Sequence, residues 1–157
     1  MLNGVESLRT NAMCADRLNS RHLRHGPQTR WNRGASLEAI EHLRKKIPSQ
    51  IPCGYLNLLA ATDGGEAALP VAPYNCCLDD ATTVLTGGAK AWRQRWLEEG
   101  FFIIGGDGGG ELLAFDLRTQ GEPPIVAIDM VAGSESAMMV APSVEAFVAM
   151  LGREEAA

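Results

Sequence analysis

The stretch from Phe101 to Arg118, FFIIGGDGGGELLAFDLR, limits the folds open to this chain more than any other. Two apolar runs flank a loop of five glycines and one aspartate. Phe101 to Ile104 is aromatic and β-branched, as a strand requires. Glu111 to Leu117 keeps polar Glu111 and Asp116 at its ends with Leu112, Leu113, Ala114 and Phe115 between them, which predicts a strand buried on both faces. Glycines serve where the backbone needs positive φ or close approach, so the stretch reads as a β-hairpin with its turn between Gly105 and Gly110.

Glycine loops also cradle phosphates, and the context decides against that use. A P-loop needs Lys and then Ser or Thr at the start of a helix, whereas here Glu111 follows and a strand begins. A dinucleotide site needs strand, loop and helix, and Asp107 and Glu111 would repel a phosphate. A calcium site built from Asp107, Glu111 and Asp116 lacks the EF-hand spacing. No His or Lys stands nearby to complete an acid/base set. Asp107 is therefore expected to make a local turn hydrogen bond and Glu111 to stay solvated at a strand end.

The rest of the chain offers no better catalytic set. There is no GxSxG elbow and no HExxH helix, and His22, His25 and His42 all precede the glycine hairpin. Cys14, Cys53, Cys76 and Cys77 form no evident disulfide framework, because adjacent Cys76 and Cys77 cannot easily bridge each other. Cys14, His22 and His25 match no zinc spacing. No catalytic residue, metal or cofactor is expected.

Charge divides the chain. Residues 1–35 carry six arginines against Glu6 and Asp16, a net of +4, and the remaining residues carry 8 Lys or Arg against 17 Asp or Glu, a net of −9. The basic part holds Asn, Ser, Arg, Gly and Pro with no sustained apolar period, so residues 1–35 are expected to form a loosely attached or disordered arm. An organelle transit peptide, a nucleic-acid-binding arm using Trp31, and an over-long reading frame with a later start at Met13 are the sharper alternatives. With 46% apolar residues, 157 residues suffice for one ordinary core. No apolar run approaches the length of a membrane span or a secretory signal, so a cytoplasmic location is expected.

Along the body, Ser36 caps a predicted helix to Lys46 with Leu37, Ile40, Leu43 and Ile47 as its apolar stripe. Pro52 opens a second helix that Asp63, Gly64 and Gly65 stop. Pro70 and Pro73 favour extended or irregular chain from Glu66 to Asp80. Asp79 or Asp80 can cap a short helix from Ala81 to Leu85, broken by Gly87 and Gly88. Ala89 to Glu98 reads as a helix with Trp92 and Trp96 on one face, packed on the sheet. Strands follow at Ile125–Ile128 and Met138–Ala141, and Ser143 caps a last helix to Leu151. The order predicts an α+β class with a central antiparallel sheet and flanking helices over residues 36–152, and a short tail over 153–157.

Ile51-Pro52-Cys53-Gly54-Tyr55-Leu56 with a helix ending in Asp63-Gly64-Gly65 resembles the front half of the SUKH superfamily. Phe102 to Glu111, running into Ala114-Phe115-Asp116, is similar to the strand, glycine turn and strand at that family's centre. The superfamily includes the yeast cell-wall assembly regulator and many bacterial immunity proteins. On this resemblance Pro52, Tyr55, Gly64, Gly65, Gly105, Asp107, Gly108, Gly110, Phe115 and Asp116 are structural motif residues. It also implies action by binding: neutralisation of a cognate toxin, often a nuclease, or, alternatively, regulation through protein interaction. An acidic body suits a basic active-site cleft and would not itself bind nucleic acid. The acids expected to meet the partner are Asp79, Asp80, Asp107, Glu111 and Asp129.

Overall fold

The computed structural model describes residue 18 and residues 20–87 and 90–155. Met13, Cys14, Gly88 and Ala89, with the readings placed on them, lie outside the described residues. Seven strands pair antiparallel in sequence order: β1 Arg30–Trp31, β2 Gly65–Ala68, β3 Asn75–Leu78, β4 Phe101–Gly106, β5 Glu111–Asp116, β6 Ile125–Asp129 and β7 Met138–Ala141. Helices α1 Leu37–Arg44 and α2 Cys53–Ala61 join β1 to β2. Helices α3 Ala81–Gly87 and α4 Ala91–Glu98 join β3 to β4, and α5 Val144–Met150 follows β7. This is the α+β class that the sequence predicts, although the helices sit inside the sheet's connections and do not precede it.

Local chemistry sets the helix starts. The Ser36 hydroxyl accepts from the Ala39 amide and the Ser143 hydroxyl from the Ala146 amide, both at 3.1 Å, as N-caps do. Pro52 takes the cap position of α2, one residue before its expected place. Asp63 reaches across to accept from the Ala81 amide at 2.7 Å, so the acid that ends α2 also helps to start α3.

Both faces of the sheet are buried, which is why β5 reads as a continuous apolar run. Leu113 and Phe115 face α1, α2 and α5, together with Tyr55, Leu43, Ile125 and Phe147. Leu112 and Ala114 face the other way with Phe101, Ile103, Val126 and Ile128. Tyr55 meets Phe115 edge-on at 5.4 Å between ring centres. On the opposite face Trp96 of α4 stands edge-on to Phe101 at 6.1 Å. Aromatic pairs of this kind add about 0.5–1.5 kcal/mol beyond their buried area.

Three of these readings change. β4 runs through Gly105 and Gly106, so the hairpin loop is 107–110 and not six residues long. A Cβ at Gly105 would lie 2.2 Å from the Cys77 carbonyl oxygen, and the glycine is what lets β3 and β4 approach. Leu37 leaves the stripe of α1 and is 75% exposed. Trp92 is not packed on the sheet as Trp96 is: the residue is 42% exposed and the Arg93 guanidinium lies over its ring at 4.8 Å.

Residues 20–35, assigned from the sequence to a loose arm, lie against this body. Leu23 is buried, the Ala35 amide donates to the Leu59 carbonyl at 2.9 Å, and β1 pairs with β2. The Trp31 indole donates to the Arg24 carbonyl at 2.7 Å.

Candidate functional site

An antiparallel meander puts alternate connections at the same end of its sheet. Here the helix-bearing connections fall at one end and the β2–β3, β4–β5 and β6–β7 turns at the other. The three tips are tied together. The Asn75 side-chain amide donates to the Asp107 carbonyl at 3.1 Å, and the Met130 amide donates to the Gly110 carbonyl at 3.0 Å.

This rim has a distinct composition. The three hairpins, 65–78, 101–116 and 125–141, contain no Lys, Arg or His. Toward the tips they carry Glu66, Asp107, Glu111, Asp129 and Glu135. Among the described residues eight large apolar side chains are exposed, and Val71, Tyr74, Met130, Val131, Met138 and Met139 belong to these tips. Val131 is 96% exposed. Arg30, opposite Glu66 on β1, and Arg95 of α4, across from Glu135, border this rim, but the tips themselves carry apolar side chains among acids and favour basic partners over acidic ones.

The structure unites three of the five acids expected to meet a partner. Glu111 and Asp129 are cross-strand partners in the β5–β6 ladder, and Asp107 opens the neighbouring tip. One Asp107 carboxylate oxygen accepts from the Gly109 and Glu111 amides at 2.7 and 3.1 Å, the local turn bond expected of it. Asp129 accepts from the Val131 and Ala132 amides, and these bonds hold its carboxyl below the usual carboxylate range. These bonds shape the turns and leave Asp129 exposed as a charge.

Asp79 and Asp80 lie elsewhere. Asp79 forms an ion pair with largely buried Arg93, which also donates to the Ile103 carbonyl at 3.4 Å and so fixes α4 against the sheet. Asp80 caps α3 through the Thr83 amide at 2.6 Å. Their charges are engaged in holding the helices, away from the tips.

The motif residues occupy backbone and core positions. Pro52 precedes α2, Tyr55 and Phe115 meet in the core, and Gly64 and Gly108 take positive φ. A Cβ at Gly65 would lie 2.3 Å from the Arg30 carbonyl oxygen, whereas one at Gly110 would meet nothing within 4 Å. Asp116 accepts two bonds from the Arg118 guanidinium at 3.0 Å each, which lower its pKa.

Two of the cysteines are poorly suited to act as nucleophiles. Burial pushes the Cys76 thiol up to about 12, and burial and Glu66 raise that of Cys77, so both disfavour the thiolate. Among the described residues no group of three or more His, Cys, Asp or Glu is arranged to hold a metal, and no helix is long and apolar enough to cross a membrane.

Beside the rim, an open groove of about 440 Å³ separates α4 from the 130–135 segment. Trp92, Arg95, Trp96 and Glu99 form one wall, with Met130 and Glu135 on the other. A larger groove of about 780 Å³ lies by residues 20–34 and carries Arg21, His25 and Arg33, opposite in sign to the rim. Sequence reasoning missed the apolar half of the rim. Met130, Val131, Met138 and Met139 flank or begin strands and read like core residues until the strand order is known.

A meandering antiparallel sheet with helices in its alternate connections, buried on both faces and edged by acidic tips, defines an α+β domain of the SUKH type. The chain belongs to the SMI1/KNR4 family (SUKH-1), whose model matches residues 34–150. No curated protein matches the chain closely enough to count as a relative.

Proposed function

We propose that this protein is a cytoplasmic immunity protein that neutralises a cognate bacterial toxin by stoichiometric binding, with no catalytic step of its own. The observation that carries the reading is the rim: Asp107, Glu111, Asp129 and Glu135 on or beside adjoining tips, in hairpins that contain no Lys, Arg or His. Such a surface draws a partner whose active site is basic, as in an enzyme acting on nucleic acid, and occupies the cleft where the substrate phosphates would lie. Asp107, Glu111 and Asp129 supply the contact charges. Asp79 and Asp80 support it indirectly, by holding the helices behind the sheet.

The test is co-expression with the toxin encoded beside this gene, with binding measured on the purified pair. Protection together with a one-to-one complex is expected. A protein that neither binds nor protects contradicts the reading. Stable partners unrelated to toxins, with a phenotype in the absence of any attacker, would instead mark a regulatory interaction module.

A further inference from the structure

The groove behind Met130 differs from the rim in having a floor. Trp96 is half-buried against Phe101, while Trp92 and Met130 are 42% and 48% exposed and open toward solvent. Its volume of about 440 Å³ falls within the roughly 300–1,000 Å³ range of ligand pockets. The space is open to solvent and admits one or two side chains of an extended segment.

Charge selects the occupant. Arg95, Glu99 and Glu135 are the charged groups lining the groove. Arg95 and Glu99 are four residues apart at the end of α4, where opposite charges offset each other on one wall. Glu135 on the facing wall leaves the groove net negative, and Asp129 on the adjoining tip adds to that. An acidic segment would be repelled here and at every rim carboxylate. A cation flanking an apolar residue would find a carboxylate on either wall, with the indoles of Trp92 and Trp96 for its stem.

We propose that this groove seats an apolar side chain of the toxin, Phe or Leu in size, carried beside a lysine or arginine on an extended segment. The inference rests on the immunity reading for the identity of the partner, and it adds an anchor to the rim's steering charges. Tight interfaces depend on a few apolar anchors in pockets, while exposed charges act mainly on association rate. The rim sets how fast the partner arrives, and the groove sets how long it stays.

The probe is a capped lysine–phenylalanine–lysine–leucine–lysine peptide titrated into the full chain, followed by the indole N–H signals of Trp92 and Trp96. Trp31 serves as the reference. The expected result is saturable movement of the Trp92 and Trp96 signals with Trp31 still. The glutamate-for-lysine peptide should produce none, and Ala132→Phe, which fills the groove, should weaken binding at least about tenfold. Equal response to the two peptides, movement of Trp31 alone, or unchanged affinity in Ala132→Phe would overturn the proposal. Should Ala132→Phe fail to fold, Glu135→Lys on the same wall replaces it, with the same loss expected.

With the toxin itself the two claims separate. If the wild type protects and folded Ala132→Phe protects and dissociates equally slowly, the groove proposal falls and the immunity reading stands. If the peptide occupies the groove but the wild type neither binds nor protects, the immunity reading falls and the groove remains a docking site for a cationic, apolar segment.

Discussion

The two ends of the sheet are made by the same strands and differ in what joins them. At one end the connections carry α1 to α4, and the acids that flank those helices hold structure: Asp79 pairs with Arg93, Asp80 and Asp63 accept from the amides of α3, and Asp116 pairs with Arg118. At the other end the turns are short, and they expose carboxylates together with Tyr74, Met130 and Val131. Asp63, Asp79, Asp80 and Asp116 at the first end are structural, and Asp107, Glu111 and Asp129 at the second stay available. Residue type alone does not distinguish them; the position in the meander does.

The largest effect should come from the core between these ends. Phe115→Ala removes a fully buried ring in contact with Tyr55 and should cost about 3–5 kcal/mol, read by denaturant unfolding. A loss below about 1 kcal/mol would mean that the sheet's inner face is not packed as described.

The glycine loop divides along the same line. Gly105→Ala pushes a methyl against the Cys77 carbonyl and should cost about 1–3 kcal/mol, while Gly110→Ala, in open space at the tip, should stay within about 0.5 kcal/mol. Equal effects would erase the distinction between the strand and the rim. Asp116→Asn should cost about 1 kcal/mol at neutral pH, a modest figure because the Arg118 side chain is half exposed. The Asp116 pKa is lowered in the folded state, so its contribution is present above the ordinary carboxylate range and disappears as the pH falls below it. The gap in unfolding free energy between Asp116→Asn and the wild type should therefore close in acid.

The smallest effects should be at Tyr55 and Val131. The Tyr55 hydroxyl is buried and finds no hydrogen-bond partner among the described residues, so Tyr55→Phe should leave stability unchanged or slightly raised, with no loss. Val131→Ser should leave the melting temperature unchanged, since the side chain is almost fully exposed. If it weakens toxin binding nonetheless, the residue belongs to the surface and not to the fold.

The central hairpin was legible because Phe101–Ile104 and Leu112–Phe115 carry strand chemistry at high density. The helix starts at Ser36 and Ser143 were legible for the same kind of reason, a capping hydroxyl ahead of an apolar stripe. Short β1 and the strands of GEAA and NCCL were not, because a few small or polar residues carry almost no periodic signal. Gly105 and Gly106 read as loop because nothing local announces the backbone of β3 beside them. The rim was only half legible. Asp107, Glu111 and Asp129 stand out as acids in turns, but their meeting with Tyr74 and Val131 depends on the strand order, a property of the whole chain.

The most direct test of an acidic rim that steers a basic partner is the association rate with a toxin of the proposed kind as a function of salt. It should be measured for the wild type and for Asp107→Asn/Glu111→Gln/Asp129→Asn. The account predicts that the wild-type rate falls steeply with ionic strength, and that the variant is slower by about tenfold or more at low salt with a nearly flat salt dependence. A variant that keeps the wild-type rate and salt slope would contradict it.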